Sequence, residues 1–239
     1  MTEALKQTLA EGLTGLGLSP TQGQIDQLAL YCDRLLEKNQ VMNLTAITDP
    51  ADVVTLHFLD SAALLASRDF AGKKIIDVGT GGGFPGLVLK ILEPTIRLTL
   101  LDTLGKRMDW LEEVSGELGL TGVTFIKGRA EEYSHKKEFR DSYDMAVSRA
   151  LASMPMLAEL CLPYVKPGGL FLAMKSSKSD EEVQAAEKII RTLGGENLQV
   201  SEYPLPGTDV SHRIVAVNKG RPTPKGYPRK WTKIKESKI

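Results

Sequence analysis

Cysteine is scarce in this chain, with two among 239 residues. Cys32 and Cys161 stand far apart and outside any Cys-x-x-Cys or Cys/His grouping, so neither a zinc site nor a disulfide framework is indicated, and both read as buried thiols. Histidine is almost as rare, at three residues, and no Cys or His is grouped as a nucleophile with its base. No apolar run approaches the roughly 18 residues that a membrane helix needs. The opening MTEALKQTLAEGL lacks the basic, apolar, small-residue order of a signal peptide, so a cytoplasmic protein without membrane or metal is expected. An excess charge of either sign is also missing, because 30 basic residues balance 30 acidic ones. Taken alone, that balance argues against strong nucleic-acid binding.

The distribution of charge says more than the total. Between Lys219 and Ile239 lie eight basic residues, Lys219, Arg221, Lys225, Arg229, Lys230, Lys233, Lys235 and Lys238, against Glu236 alone. The result is a tail of net +7 on a body of net −7, with Tyr227 and Trp231 interleaved as candidate stacking surfaces for nucleic acid, or else a frayed, solubilising terminus. A hydrophobic content of 42% suffices for a real core in one domain of ordinary or slightly large size.

The first seventy residues read as helices. Ser19-Pro20-Thr21-Gln22 offers an N-cap, a proline at the first helical position and a glutamine to complete a capping box. Ile25, Leu28, Ala29, Cys32, Leu35 and Leu36 then share one face. Asp49-Pro50-Ala51-Asp52 repeats the start signal ahead of Val53, Val54, His57, Phe58, Ser61, Leu64 and Leu65. After Gly72 short β-branched runs alternate with helical stretches, the pattern of a parallel sheet covered on both faces. Strands are expected at Lys74–Val78, Arg97–Leu101, Val123–Lys127, Asp144–Ser148 and Leu170–Met174, with helices over Leu87–Leu92, Leu104–Leu118, Met154–Leu160 and Asp180–Leu193. Leu198–Tyr203 and Arg213–Asn218 follow with only a loop between them, as an antiparallel hairpin would. The Pro- and Lys-rich stretch after Gly220 reads as loosely ordered. The expected organisation is a helical extension over residues 1–70, an α/β domain over 71–219 and a basic tail over 220–239.

The most informative stretch is Ile75-Ile76-Asp77-Val78-Gly79-Thr80-Gly81-Gly82-Gly83-Phe84-Pro85-Gly86, a strand running through a glycine loop into a helix. Such a loop lets backbone approach a ligand at the C-terminal edge of the first strand, where doubly wound sheets bind nucleotide cofactors. Gly81-x-Gly83-x-x-Gly86 also satisfies the dinucleotide fingerprint, so the spacing by itself does not separate NAD from S-adenosylmethionine. Charge separates them. A pyrophosphate wants amide donors with no carboxylate nearby, whereas Asp77, two residues before Gly79, suits the cationic methionine end of S-adenosylmethionine. The competing reading of Asp77 is a strand-end carboxylate capping local amides. Asp102, 23 residues after Gly79, stands where a carboxylate commonly takes both ribose hydroxyls, or else caps the helix after it. Glu131, after the third strand, is positioned to accept from an adenine amino group, or else marks a solvated helix start.

Together with Asn43-Leu44-Thr45 and His57-Phe58-Leu59-Asp60-Ser61, the stretch Asp77 to Leu87 resembles the bacterial 16S ribosomal RNA guanine-N7 methyltransferases, the glucose-inhibited division protein B family. Arg129-Ala130-Glu131-Glu132, Val147-Ser148-Arg149-Ala150-Leu151, Pro167-Gly168-Gly169 and Tyr227-Pro228-Arg229-Lys230 extend the likeness over nearly the whole chain. The resemblance implies a doubly wound, seven-stranded, Rossmann-like methyltransferase sheet and methyl transfer from S-adenosylmethionine to N7 of a guanine in 16S rRNA or the small ribosomal subunit. It implies that Gly79 and Phe84 line the cofactor pocket, that Ala130 and Glu131 flank the adenine, and that Arg149 closes the site and positions the reactants. With Asp77, Gly81 and Asp102 these complete the expected cofactor set. Arg149 has a structural alternative, an ion pair with a sheet-edge acid. Candidate RNA contacts are Arg129, Lys175, Arg213, Arg229 and Lys230, and a monomer is expected. His57 and Asp60 match the family motif, but a lone histidine on an apolar helix face is usually a satisfied core residue, and no catalytic role is assigned to His57. Guanine N7 carries a lone pair and no proton, so a general base is not required and catalysis should be mainly positional. The rival readings are a small-molecule methyltransferase, an NAD-dependent oxidoreductase on the same sheet, and a non-catalytic RNA-binding module.

Overall fold

The computed structural model describes residues 1–236. Helices α1 (Glu3–Gly15) and α2 (Gln22–Met42) open the chain, and α3 (Pro50–Asp52) passes through a π-helical stretch, Val53–Leu59, into α4 (Asp60–Ser67). Then come β1 (Lys74–Val78), α5 (Gly86–Leu92), β2 (Arg97–Asp102), α6 (Gly105–Glu117), β3 (Val123–Lys127), α7 (Ala130–Tyr133), β4 (Tyr143–Arg149), α8 (Met154–Cys161), β5 (Val165–Ser176), α9 (Asp180–Thr192), β6 (Gly195–Pro204), β7 (Ser211–Lys219) and α10 (Trp231–Lys235). None of the described helices is long and apolar enough to cross a membrane.

The strands form one seven-stranded sheet in the order β3-β2-β1-β4-β5-β7-β6. β1 to β5 run parallel, while β7 lies antiparallel between β5 and β6. Strand order reverses between β1 and β4, which opens a crevice beyond the carboxyl ends of the strands.

Period-two alternation divides the core into two layers. Ile75, Met145, Val147, Leu172, Met174, Ile214 and Ala216 face the layer built with the N-terminal helices. Their strand neighbours Ile76, Ala146, Phe171, Ala173, Val215 and Val217 face the layer formed with α8 and α9. Burial on both faces is why these strands read as continuous apolar runs. Both cysteines are buried and unpaired.

Two local expectations are corrected. The cap of α2 is Thr21, whose hydroxyl accepts from Gln24 N while the Gln24 side chain accepts from Thr21 N. The box therefore closes two residues after Ser19, and Pro20 precedes the helix rather than opening it. Asp49 caps α3 as expected, accepting from Ala51 N. The second correction concerns residues 221–236, which are docked rather than loose; residues 237–239 of the basic tail lie outside the described residues. Arg140 donates to the carbonyls of Thr223, Pro224 and Tyr227, His135 bonds the Pro228 carbonyl, and Ile234 is fully buried.

Candidate active site

The turn after β1 begins at Gly79, whose φ of 73° falls in the left-handed region that glycine adopts freely. A side chain there would also collide with Leu151, because an added Cβ would stand 2.6 Å from its methyl groups. Most of the loop amides are spent on nearby protein acceptors. Gly79 N and Thr80 N donate to the Leu101 carbonyl, and Gly83 N and Phe84 N to the Thr80 carbonyl. Gly81 N donates to Asp102 Oδ2 at 3.0 Å and Gly86 N to Asp77 Oδ2 at 2.9 Å.

A cleft of about 310 Å³ opens over the tips of β1, β2 and β3, at the low end of ligand-pocket sizes. Its walls are Val78 and Gly79, Leu101 to Thr103, Arg129 to Glu131, Leu151 and Ala152, Met156 and Leu160, and Trp231. Gly79, Asp102, Ala130 and Glu131, all expected on the cofactor, thus share one cavity. Asp102 also accepts from Leu104 N at 3.0 Å, but Leu104 itself caps α6 with no side-chain cap bond, so Asp102 braces the turn before the helix rather than capping it. Glu131 accepts from Arg129 Nε at 2.5 Å, which offsets the one basic side chain on the wall. Asp102 meets only backbone donors, so the cleft keeps a negative field.

Asp77 lies beneath the loop, fully buried. Its Oδ2 accepts from Thr80 Oγ1 and Gly86 N, while Oδ1 is buried with no hydrogen-bond partner. Burial is the main reason that its pKa rises to about 7, and Asp102 nearby adds to the shift. The local-capping reading of Asp77 therefore accounts for one oxygen and leaves the other unexplained.

Phe84 and Arg149 lie on the far side of the loop. Phe84 stacks on His57, with ring centroids 4.3 Å apart, and packs beside Tyr31. The Arg149 guanidinium sits 5.0 Å from the Phe84 ring. It donates to the Leu56 carbonyl at 2.8 Å, Asp60 Oδ2 at 3.0 Å and His57 Nδ1 at 2.8 Å. Arg149 is in an ion pair, but its acid is Asp60 on helix α4 rather than a residue at the sheet edge. Burial, followed by the charge of Arg149, drives the His57 pKa down to about 3. The ring is therefore neutral, accepting from Arg149 at Nδ1 and donating from Nε2 to Thr45 Oγ1. Asp60 also accepts from Tyr203 and His212, each at Oδ1. Burial opposes its ionisation, but the His212 hydrogen bond, Arg149 and Tyr203 outweigh that and hold its pKa below the ordinary value. A second cavity, of about 510 Å³, borders this network and is lined by His57, Asp60, Arg149, Ala150, Lys175 and His212 among others. Ala150, Leu151 and Ala152 connect the two cavities along the chain.

Among the RNA-contact candidates, four have carboxylate partners. Arg129 pairs with Glu131, Lys175 with Glu182, Arg213 with Asp180 and Glu202, and Arg229 with buried Glu159. Lys230 is exposed and has no ion pair among the described residues. Sequence reasoning did not reach the Asp60 junction or the wall formed by Leu151, Met156, Leu160 and Trp231. The available signal for Trp231 is an aromatic in an otherwise basic tail, and that pattern points equally to nucleic-acid stacking. The π-helical stretch that presents the Leu56 carbonyl, a geometry frequent at functional sites, has no signature in the apolar pattern.

A family model described as GidB, rRNA small subunit methyltransferase G, matches residues 24–207. The Ribosomal RNA small subunit methyltransferase G of Alkaliphilus oremlandii is 48% identical over 236 residues, 98% of this chain and 99% of that protein. The protein of the same name from Alkaliphilus metalliredigens is 46% identical over 226 residues, covering 94% of this chain and 95% of its own. The solved structure of a SAM-dependent O-methyltransferase from Thermotoga maritima superposes with a TM-score of 0.51 at 20% identity, over 80% of this chain and 73% of that one. That last likeness is one of fold.

Proposed function

The chain belongs to the GidB family, rRNA small subunit methyltransferase G, and from that premise we propose that it transfers a methyl group from S-adenosylmethionine to N7 of a guanine in 16S ribosomal RNA. The observation that carries the cofactor part is the pairing of a negative cleft with a glycine loop most of whose amides are already committed. Those N–H groups go to Leu101, Thr80, Asp102 and Asp77, so a pyrophosphate would lack the donors it needs. An adenosyl group bearing positive charge suits the same walls. Asp102 takes the ribose hydroxyls and Glu131 the adenine amino group, with Ala130, Met156 and Leu160 as the apolar bed. Asp77 contributes its charge from below through the unpartnered Oδ1. Bound there, S-adenosylmethionine supplies an electrophilic methyl group on a sulfonium.

The chain's own work is alignment. The acceptor guanine occupies the neighbouring cavity, where Arg149 and Lys175, each balanced by a carboxylate, offer N–H donors to a base carbonyl or a phosphate. Arg149 is held by Asp60, His57 and the Leu56 carbonyl, so its guanidinium is fixed before the substrate arrives. N7 faces a groove too deep and narrow for side chains in A-form RNA, so the target base is unstacked or in a loop. N7 has no proton to remove, and neutral His57 has no proton to exchange near pH 7. At saturating S-adenosylmethionine, where titration of Asp77 affects binding and not turnover, the rate should therefore vary by no more than about threefold between roughly pH 6.5 and 8.5, whereas an essential base would give a steep limb.

The deciding experiment is transfer of tritium from labelled S-adenosylmethionine into purified small ribosomal subunits, followed by mapping of the labelled nucleotide. Label at a guanine N7 is expected. Label only in small molecules would favour the small-molecule reading, and binding of NADH without S-adenosylhomocysteine would return the oxidoreductase.

A further inference from the structure

We infer that Trp231, on the C-terminal helix α10, is a cofactor-binding residue that closes the adenine end of the cleft. The inference rests on the S-adenosylmethionine reading above and adds a wall that the glycine-loop motifs do not contain. Trp231 lines the same cavity as Gly79, Asp102, Ala130 and Glu131, although it is 100 residues beyond Glu131 in the chain. It stands at the β3 end, where the Arg129 guanidinium lies 5.0 Å from its ring. Arg129 in turn is bonded to Glu131. One edge of the cleft is thus a relay of carboxylate, guanidinium and indole, with Ala130, Met156 and Leu160 beside it. A flat heteroaromatic ring entering here meets an apolar bed, an acceptor for its amino group and an aromatic face, the combination that purine stacking uses.

The position is built, not incidental. The segment ahead of α10 is fixed by Arg229, which donates from its backbone N, Nε and Nη2 to buried Glu159 on α8. The Arg140 bonds and the His135 bond hold it further upstream. Ile234, one turn beyond Trp231, is fully buried. Met156 and Leu160 of α8 line the cleft on either side of Glu159 in sequence, so a single helix both anchors the C-terminal segment and forms the bed.

S-adenosylhomocysteine is the probe, measured by calorimetry on the full chain. Wild type is expected to bind, W231A to bind about tenfold more weakly or worse, and W231F to regain most of the loss, since stacking tolerates a change of ring. Should W231A fail to fold, intrinsic fluorescence decides. Trp110, the other tryptophan, is buried in the N-terminal layer, so a W110F chain, its fold verified by circular dichroism, reports Trp231 alone. Its emission should shift and saturate with S-adenosylhomocysteine. A folded W231A that binds within about twofold of wild type, or W110F emission unmoved at saturation, overturns the role of Trp231. Absence of binding by wild type would instead overturn the cofactor reading itself.

Discussion

Asp77 is the residue whose charge state matters most. Its pKa of about 7 in the folded chain lies well above the ordinary 3.8, chiefly through burial. The folded state therefore keeps a proton that the unfolded chain releases, and stability falls as pH rises between about 4 and 7. At about 1.4 kcal/mol per unit, the loss is a few kcal/mol. D77N retains an oxygen for Gly86 N and Thr80 Oγ1 and does not titrate, so its stability should decline less over that window. Urea midpoints of both proteins at pH 5 and pH 7.5 measure the difference. His212, whose pKa is raised through its bond to Asp60, contributes stability that is present at low pH and lost as pH rises through its folded pKa. That contribution is common to both proteins and cancels in the comparison. At neutral pH, without cofactor, D77N should be the more stable protein and the weaker binder of S-adenosylmethionine, the usual opposition between stability and a charged site. Equal declines for the two proteins would mean that Asp77 does not titrate in this range.

At the scale of elements, the C-terminal segment behaves as part of the body. Arg229 and Glu159 are bonded through both guanidinium and backbone, and the Glu159 side chain is 1% exposed. R229A leaves that carboxylate with only the backbone N–H of residue 229, and because the Arg229 side chain is 35% exposed the loss is about 1–3 kcal/mol, which chemical denaturation would read directly. If the basic tail served only to dock phosphates, removing residues after Asn218 would weaken RNA binding more than cofactor binding. With Lys219 and Thr223 buried and Trp231 on the cleft wall, truncation should instead reduce stability and cofactor binding together. The reason the docking was illegible is physical. Arg140 and Glu159 hold the segment from more than 65 residues away, and composition and periodicity carry only local information. The strands were legible for the converse reason, since alternation is local. β1 and β3 match their expected limits residue for residue, while β5 begins at Val165, ahead of the expected Leu170. The cleft was legible where a loop motif marked it, at Gly79, Asp102 and Ala130-Glu131. It was silent where a distant helix supplied the wall. Arg149 was placed by its motif, but its tether to Asp60 joins two segments 89 residues apart.

For the whole molecule, zero net charge and a paired surface limit how strongly electrostatics alone can drive RNA binding. Each phosphate contact contributes about 0.7 to 0.9 to the slope of log affinity against log salt. Were Arg129, Lys175, Arg213, Arg229 and Lys230 all docked on phosphates, the slope would be close to −4. Four of them are already engaged by carboxylates, and opening those pairs would expose Glu131, Glu182, Asp180 and Glu159 to the same phosphates. A shallower slope is therefore expected, with exposed Lys230 as a leading contributor. K230E should make the slope shallower by about 1 and leave S-adenosylhomocysteine affinity unchanged. R213E should lower thermal stability, because it places a third carboxylate against Asp180 and Glu202, with little effect on the slope. Filter binding to small ribosomal subunits across a salt series distinguishes the cases. A wild-type slope of −4 or steeper, with R213E reducing it as much as K230E does, would mean that the ion pairs open on docking and that the free chain's surface is not the one RNA meets.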